Sequence, residues 1–448
     1  MDPLPAPALP THLSFHHPGE PGYRRMLLGL FAAGVATFAA LYSTQPLLGI
    51  LAQRFTVSPA HAAWSVSITT LLLGLGMLAA GPLSGRWGRS RTIIWSLFLT
   101  ALLGALCALA PNWPVLLAAR AVQGLTLAGT PAVALVYLRE EVDPSVGPRA
   151  TGLYIGGTAL GGMTGRLLAG AVADLGGWRW AVGAVAILSG VCAVVALACL
   201  PAPRHPSRTD FLATTPAPAP DSDPTSTPLP SPPRRFPLPP TTRRALTNPA
   251  LLSLYFISAA MMGAFVAVYN VLGLRLTAQP YHLSVFEASL VFCVYPLGSV
   301  ASALAGRLAE RVGRPAVVLA GCLLALAGVA ITLAAPLPLV ILGTAVVTIG
   351  FFAAHGVASG WAAALGQRVH AAAQASALYL LAYYLGSSVF GELGAGLWSS
   401  GHWPAVAALA AALMLAAASA AARPVLQRRH QPERATVGKT LARTGNGA

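Results

Sequence analysis

The chain has 448 residues, of which 55% are apolar and only 9% charged, too little charge for a soluble domain of this length. Its formal net charge of +15 suggests a nucleic-acid partner, but the distribution of that charge argues against one. With the N-terminus placed inside, the inner loops, linker and tails hold 23 of the 28 Lys and Arg residues, which is the positive-inside pattern of a membrane protein.

In chain order, residues 1–22 are rich in Pro and His, have no apolar period and are expected to be disordered. The apolar run after Arg24-Arg25 is too long for a signal peptide and lacks a small-residue cleavage site, so it reads as the first span. A bilayer crossing needs about 20 apolar residues. Runs of that length fall near 26–50, 61–82, 92–111, 114–137, 150–173 and 178–200, giving a six-helix half over 23–200. A second set, near 249–273, 285–305, 315–335, 338–364, 372–398 and 402–422, gives another over 248–422. Between them, 201–247 is a Pro-, Ser- and Thr-rich segment expected to be a disordered cytoplasmic linker, and 423–448 is a basic cytoplasmic tail. Trp113, Trp178, Trp180, Trp398 and Trp403 sit near predicted outer ends, as an aromatic belt requires. The five cysteines lie in predicted spans without metal-ligand spacing and read as packing residues.

The halves are copies. Gly81-Pro-Leu-Ser-Gly-Arg86-Trp-Gly88-Arg89-Ser-Arg91 recurs 225 residues later as Gly306-Arg-Leu-Ala-Glu310-Arg311-Val-Gly313-Arg314-Pro315. Tyr154 falls on Tyr379 and Gly161 on Gly386 at the same offset. A long internal duplication in an apolar chain indicates a transporter built from repeats.

These residues also resemble the major facilitator superfamily. Gly81–Arg91 is similar to its signature loop between the second and third helices, with Gly85 in place of the usual Asp, while the second copy keeps an acid at Glu310. Arg120-Ala-Val-Gln123-Gly124 resembles the fourth-helix motif. Gly152, Gly161, Gly165 and Gly170 follow the antiporter motif of helix five, although Arg166 and Ala169 replace its proline and one glycine. The resemblance implies an all-α membrane protein of twelve helices in two pseudo-symmetric halves, with a central site lined by helices one, four, seven and ten. It further implies proton-coupled efflux by alternating access in a bacterial inner membrane, with both termini cytoplasmic. An uptake symporter or facilitator of the same fold is the alternative, and a non-transporting sensor or scaffold is an alternative of another class. No acid lies between Met26 and Leu51, where cationic-drug exporters of that branch carry one, so an anionic or neutral substrate suits the chain as well as a lipophilic cation.

Charged side chains within spans are few, and intramembrane charge costs about 2.5–3.5 kcal/mol on insertion scales, which makes function the default reading. They are Arg120, Arg166 and Glu392. Arginine keeps its proton, whereas glutamate can bind and release one. Glu392 is therefore the candidate proton site and Arg120 the candidate fixed cation. Arg166 either pairs structurally with Glu392 or Glu287, or joins coupling. Gln45 beside Pro46, Gln123, Tyr269, Asn270, His355 and Tyr383 are the further candidates for the substrate and proton pathway. Ser284-Val-Phe-Glu287 reads as a capping box, and Asp174 as a solvated loop charge near Arg179.

Gly157, Gly161 and Gly165 allow close helix approach and are assigned to the interface between halves. In the twin loops, Gly81, Arg86, Gly88, Arg89, Gly306, Glu310, Arg311, Gly313 and Arg314 are the candidate gating residues. Gly438-Lys439-Thr440 lacks the earlier glycine of a phosphate loop, and no enzyme, metal or ATP signature is present. The proton gradient is the expected energy source, with no cofactor, and the expected partners are a small-molecule substrate, protons and lipid, in a monomer.

Overall fold

The computed structural model describes residues 15–143, 145–201 and 240–429. Among these the chain is helical apart from turns and a single β-bridge between His16 and Val142. The sequence expectations for 1–14, 202–239 and 430–448 lie outside the described residues.

Ten stretches are long and apolar enough to cross a membrane, and two of them, Arg149–Cys199 and Ala372–Arg423, have 51 and 52 residues, twice the length one crossing needs. Each lies in a helix that breaks once. The break in α7 (Gly147–Cys199) is at Gly177, with φ 80° and ψ 178°, a conformation open essentially to glycine alone. The break in α14 (Ala372–Arg429) is at His402, with φ 51° and ψ −154°. Both fall where the apolar pattern separates two spans.

The first stretch is broken differently. α1 (Pro21–Tyr42) gives way to a 3₁₀ turn over Gln45–Leu47 and resumes as α2 (Leu48–Arg54). Pro46 has no amide hydrogen to continue the ladder, and Ser43 instead donates its hydroxyl to the Ala40 carbonyl at 3.0 Å. Helix starts follow the local sequence. Ser58 caps α3 (Pro59–Trp87) by accepting from the His61 amide at 3.2 Å, with Pro59 in the first turn. Asn112 caps α5 (Trp113–Leu127) in the same way through the Val115 amide.

α4 (Arg89–Ala108) follows α3, and α6 (Gly129–Glu141) follows α5. A short helix, α8 (Pro240–Thr247), precedes α9 (Pro249–Thr277), so the end of the segment expected to be a disordered linker is helical. Then come α10 (Val285–Ser289), α11 (Tyr295–Val312), α12 (Arg314–Ile331) and α13 (Leu337–Arg368).

Two compact units emerge: Met1–Arg243 with Leu272–Cys293, and Arg244–Val271 with Val294–Ala448. The division cuts α9 rather than falling only at the linker. Within the first unit, Asp174 at the break of α7 accepts from the Val285 and Phe286 amides at 3.1 and 2.9 Å. It therefore caps α10, beside the capping box that Ser284 and Glu287 complete; it is not merely a solvated loop charge. Residues before α1 are also held, since His16 donates its amide to Glu141 and the His17 ring lies 3.1 Å from Asp143. Hydrogen bonds from Ser145, and secondarily His17, hold the Asp143 carboxyl below its ordinary range.

The glycine stripe has a different neighbour from the one expected. A methyl group on Gly157, Gly161 or Gly165 would collide with the backbone of Phe31, Val35 or Ala39, so the stripe seats α7 on α1 inside one unit. The copy repeats the arrangement, with Gly386 of α14 against the Ala259 backbone of α9. Only further along, at Gly170, does α7 meet Ser289 of α10.

The twin turns share one backbone conformation. Gly88, between α3 and α4, has φ 90° and ψ 140°, and Gly313, between α11 and α12, has φ 92° and ψ 147°. Gly81 and Gly306 lie inside helices instead. Replacing Gly88 or Gly313 by Ala is expected to destabilise the protein by about 1–3 kcal/mol in thermal unfolding. Gly81→Ala, with open space around the new methyl, should stay within about 0.5 kcal/mol. Equal effects at positions 81 and 88 would remove the conformational argument.

Candidate functional site

In the first unit, four of the sequence candidates meet at the break in α1. Arg120 of α5 is 1% exposed, and its guanidinium is five donors with no acceptor, so it must be served by acceptors inside the protein. Its Nη1 donates to the Ala40 carbonyl at 2.9 Å, its Nη2 to the Leu41 carbonyl at 2.7 Å and its Nε to the Ser65 carbonyl at 2.7 Å. Ala40 and Leu41 belong to the last turn of α1, whose carbonyls lose helical partners at a terminus. Gln123, one turn on, accepts from Arg120 Nη1 at 2.7 Å and donates to the Thr100 carbonyl at 2.9 Å, which fixes its amide. The guanidinium thus ties α1, α3 and α5 together.

Arg166 of α7 approaches the same break and is also 1% exposed. It donates from Nε to the Gln45 side-chain oxygen at 2.5 Å and from Nη1 to the Gly162 carbonyl at 2.6 Å. Its guanidinium carbon lies 4.1 Å from the Tyr42 ring centre and 4.7 Å from that of Phe292, distances at which ring faces attract a cation. The two arginines grip one six-residue stretch, Arg120 at Ala40 and Leu41 in the last turn of α1 and Arg166 at Tyr42 and Gln45 beyond it. Their partners were not legible, because backbone carbonyls carry no sequence signature.

In the second unit the aromatic candidates form one group. His355 of α13 is half-buried, stacks parallel on Phe351 with centroids 5.6 Å apart, and lies 4.7 Å from the Tyr383 ring. Its Nδ1 is 3.1 Å from the Tyr379 hydroxyl. Phe351 stacks in turn on Phe265 at 4.1 Å, and Tyr269 bonds Thr348 at 2.6 Å between hydroxyls. Tyr269 and Asn270 are fully buried, whereas His355 and Tyr383 keep part of their surface open. Asn270 donates to the Gly391 carbonyl at 3.4 Å, linking α9 to α14. Glu392, the next residue, is half-buried, and no hydrogen bond or ion pair of its side chain occurs among the described residues.

The first turn contains a latch that motif reading missed. Arg89 forks onto Glu140 of α6, Nε at 3.0 Å and Nη2 at 2.8 Å, and donates from Nη1 to Ser84 at 2.7 Å. Glu140 therefore supplies a carboxylate to a loop that lacks one at Gly85, from 51 residues away. Arg86, Glu310, Arg311 and Arg314 are exposed.

Arg120→Met keeps the volume but removes every donor, so the Ala40, Leu41 and Ser65 carbonyls and the Gln123 side chain each lose a charge-assisted hydrogen bond. The expected loss is about 3 kcal/mol or more, from roughly 1.5–3 kcal/mol per hydrogen bond to a charged group. Thermal unfolding in detergent measures it, with exposed Arg139→Met as the control; equal melting temperatures would show that Arg120 does not hold the break.

A family model described as Major Facilitator Superfamily matches residues 30–391 and 273–444. YybF of Bacillus subtilis (strain 168), named an uncharacterized MFS-type transporter, is 35% identical over 395 residues, 87% of this chain and 91% of that one. The inner membrane transport protein YnfM of Escherichia coli (strain K12) is 36% identical over 398 residues, 88% of each chain. Among solved structures, a bacterial homolog of the human lysosomal transporter Spinster, inward-facing and occupied, matches with a TM-score of 0.66 at 17% identity. That match covers 91% of this chain and 96% of the other, and it bears on the fold alone. The duplicated helices, the twin glycine turns and these relatives agree: the chain belongs to the major facilitator superfamily and is a multi-pass membrane transporter, not an enzyme.

Proposed function

We propose that the protein exports a small organic solute across a bacterial inner membrane in exchange for protons, by alternating access of its two halves. One observation carries the coupling. Glu392 is the one carboxylate among the described residues set well inside a long apolar helix rather than near an end, and its side chain has no partner among them. A carboxylate kept at such a position, at the cost of intramembrane charge, fits a proton carrier better than a structural link. Both termini are cytoplasmic in this reading, which follows the positive-inside distribution. The proton gradient supplies the energy without a cofactor, and the unit of transport is the monomer.

The substrate we favour is neutral or anionic and carries a flat ring. His355 and Tyr383, which keep part of their surface open in a group of rings with Phe351, support stacking as the mode of recognition. Arg120 and Arg166 already have their hydrogen bonds in place at the break of α1, so their charge acts on a substrate through the field and not by direct contact. Gln45, Gln123, Tyr269 and Asn270 act in this proposal as the buried frame of the pathway, and the twin turns as its inner gate.

The test is proton movement in proteoliposomes loaded with a pH dye and challenged with organic anions, neutral ring compounds and organic cations. Wild type should give a substrate-triggered pH change, lost in Glu392→Gln while exchange of labelled solute persists. Wild-type transport without a pH change would sink proton coupling. A change of opposite sign in oriented vesicles would replace export by symport.

A further inference from the structure

The second copy of the signature turn keeps its cation but has lost the partners that neutralise it. In the first unit Arg89 is held by Glu140 and Ser84. At the duplication offset of 225 residues, Arg89 corresponds to Arg314, Ser84 to Ala309 and Glu140 to Leu365. Of the two acids that follow, Glu141 corresponds to Gly366 and Asp143 to Arg368. One hydroxyl and three carboxylates are thus replaced by a methyl, an isobutyl group, a glycine and a second guanidinium.

Four of these counterparts lie together. Ala309, Arg314, Leu365 and Arg368, with Gly313 and Trp361, line a cavity of about 280 Å³ in the second unit, and no carboxylate lines it. The Arg314 and Arg368 side chains are exposed and make no hydrogen bond or ion pair among the described residues. Glu310, although four residues before Arg314, forms no ion pair with it among them. Two cations therefore face a pocket at the ends of two spanning helices, where α12 begins and α13 finishes. The unpaired amides and the dipole at the start of α12 add to the positive field.

We propose that this cavity binds the phosphate of an anionic phospholipid headgroup, which takes the place that Glu140 fills for Arg89. Phosphate accepts charge-assisted bonds from both guanidiniums. Half-buried Trp361 and Leu365 give the pocket an apolar wall, and Trp favours the headgroup level of a bilayer. The empty volume suits a headgroup that enters from the side of the membrane. The lipid supplies from outside the chain the countercharge that the first half encodes within it.

The experiment is native mass spectrometry of the full-length protein in detergent with phosphatidylglycerol, phosphatidylcholine or inorganic phosphate added. Wild type should retain phosphatidylglycerol over phosphatidylcholine. Arg314→Gln/Arg368→Gln should bind phosphatidylglycerol roughly thirtyfold more weakly, the loss expected for two surface cations. Leu365→Glu, which restores the first-half acid, should weaken it in the same direction, and the charge-matched control Arg54→Gln/Arg139→Gln should not. Equal phosphatidylglycerol affinity in wild type and both pocket variants overturns the proposal, as does equal wild-type affinity for the two lipids. Inorganic phosphate that displaces phosphatidylglycerol at millimolar concentration would overturn the lipid assignment in favour of a water-borne phosphate.

Discussion

The first unit depends on how one broken helix is closed. α1 ends at Tyr42 shortly before Pro46, and no water is available in hydrocarbon to serve the carbonyls of its last turn. Arg120 meets that need with donors aimed at Ala40 and Leu41. An intramembrane cation and a helix terminus in hydrocarbon are each unfavourable alone, and together they reduce each other's deficit. The sign is also right, because a helix C-terminus is the negative end of its dipole. Gln123 and the Thr100 carbonyl then hold the guanidinium in register.

Around this closure the unit is arranged asymmetrically. Arg166 takes the far side of the break with Gln45 and two aromatic rings, while Arg120 takes the near side with carbonyls. The second unit has no counterpart to either arginine. Its interior at the corresponding helices is aromatic, with Phe265, Phe351, His355 and Tyr383 in successive contact. Duplication preserved the helices, and the two interiors diverged into a polar clamp and an aromatic stack.

Much of this was open to sequence reading, for physical reasons. Span length and apolarity are set by the bilayer, so the apolar runs could be delimited, and the break at Gly177 lies between two of them while His402 opens the last. Gly88 and Gly313 stood out because a positive φ admits little else. The partners of Arg120 and Arg166 did not, since a carbonyl acceptor is the same at every residue. Glu140 was hidden because the fork to Arg89 spans 51 residues. Glycine spacing announced a close approach along α7 but not the neighbour, and α1 rather than the opposite half occupies that face. Asp174 looked like a loop charge because the amides it caps lie more than a hundred residues away.

The seating of α7 on α1 also has a mechanical meaning. At Gly157, Gly161 and Gly165 the two backbones touch with no side chain between them, so there is no soft layer to shear when the transporter changes state. A close-packed contact of that kind behaves as a rigid strut. Any bending must then be taken up where the ladder is already interrupted, at the turn after Tyr42 and at Gly177. The glycines that bring the helices together thereby determine which parts of the unit move as one piece and which serve as its joints.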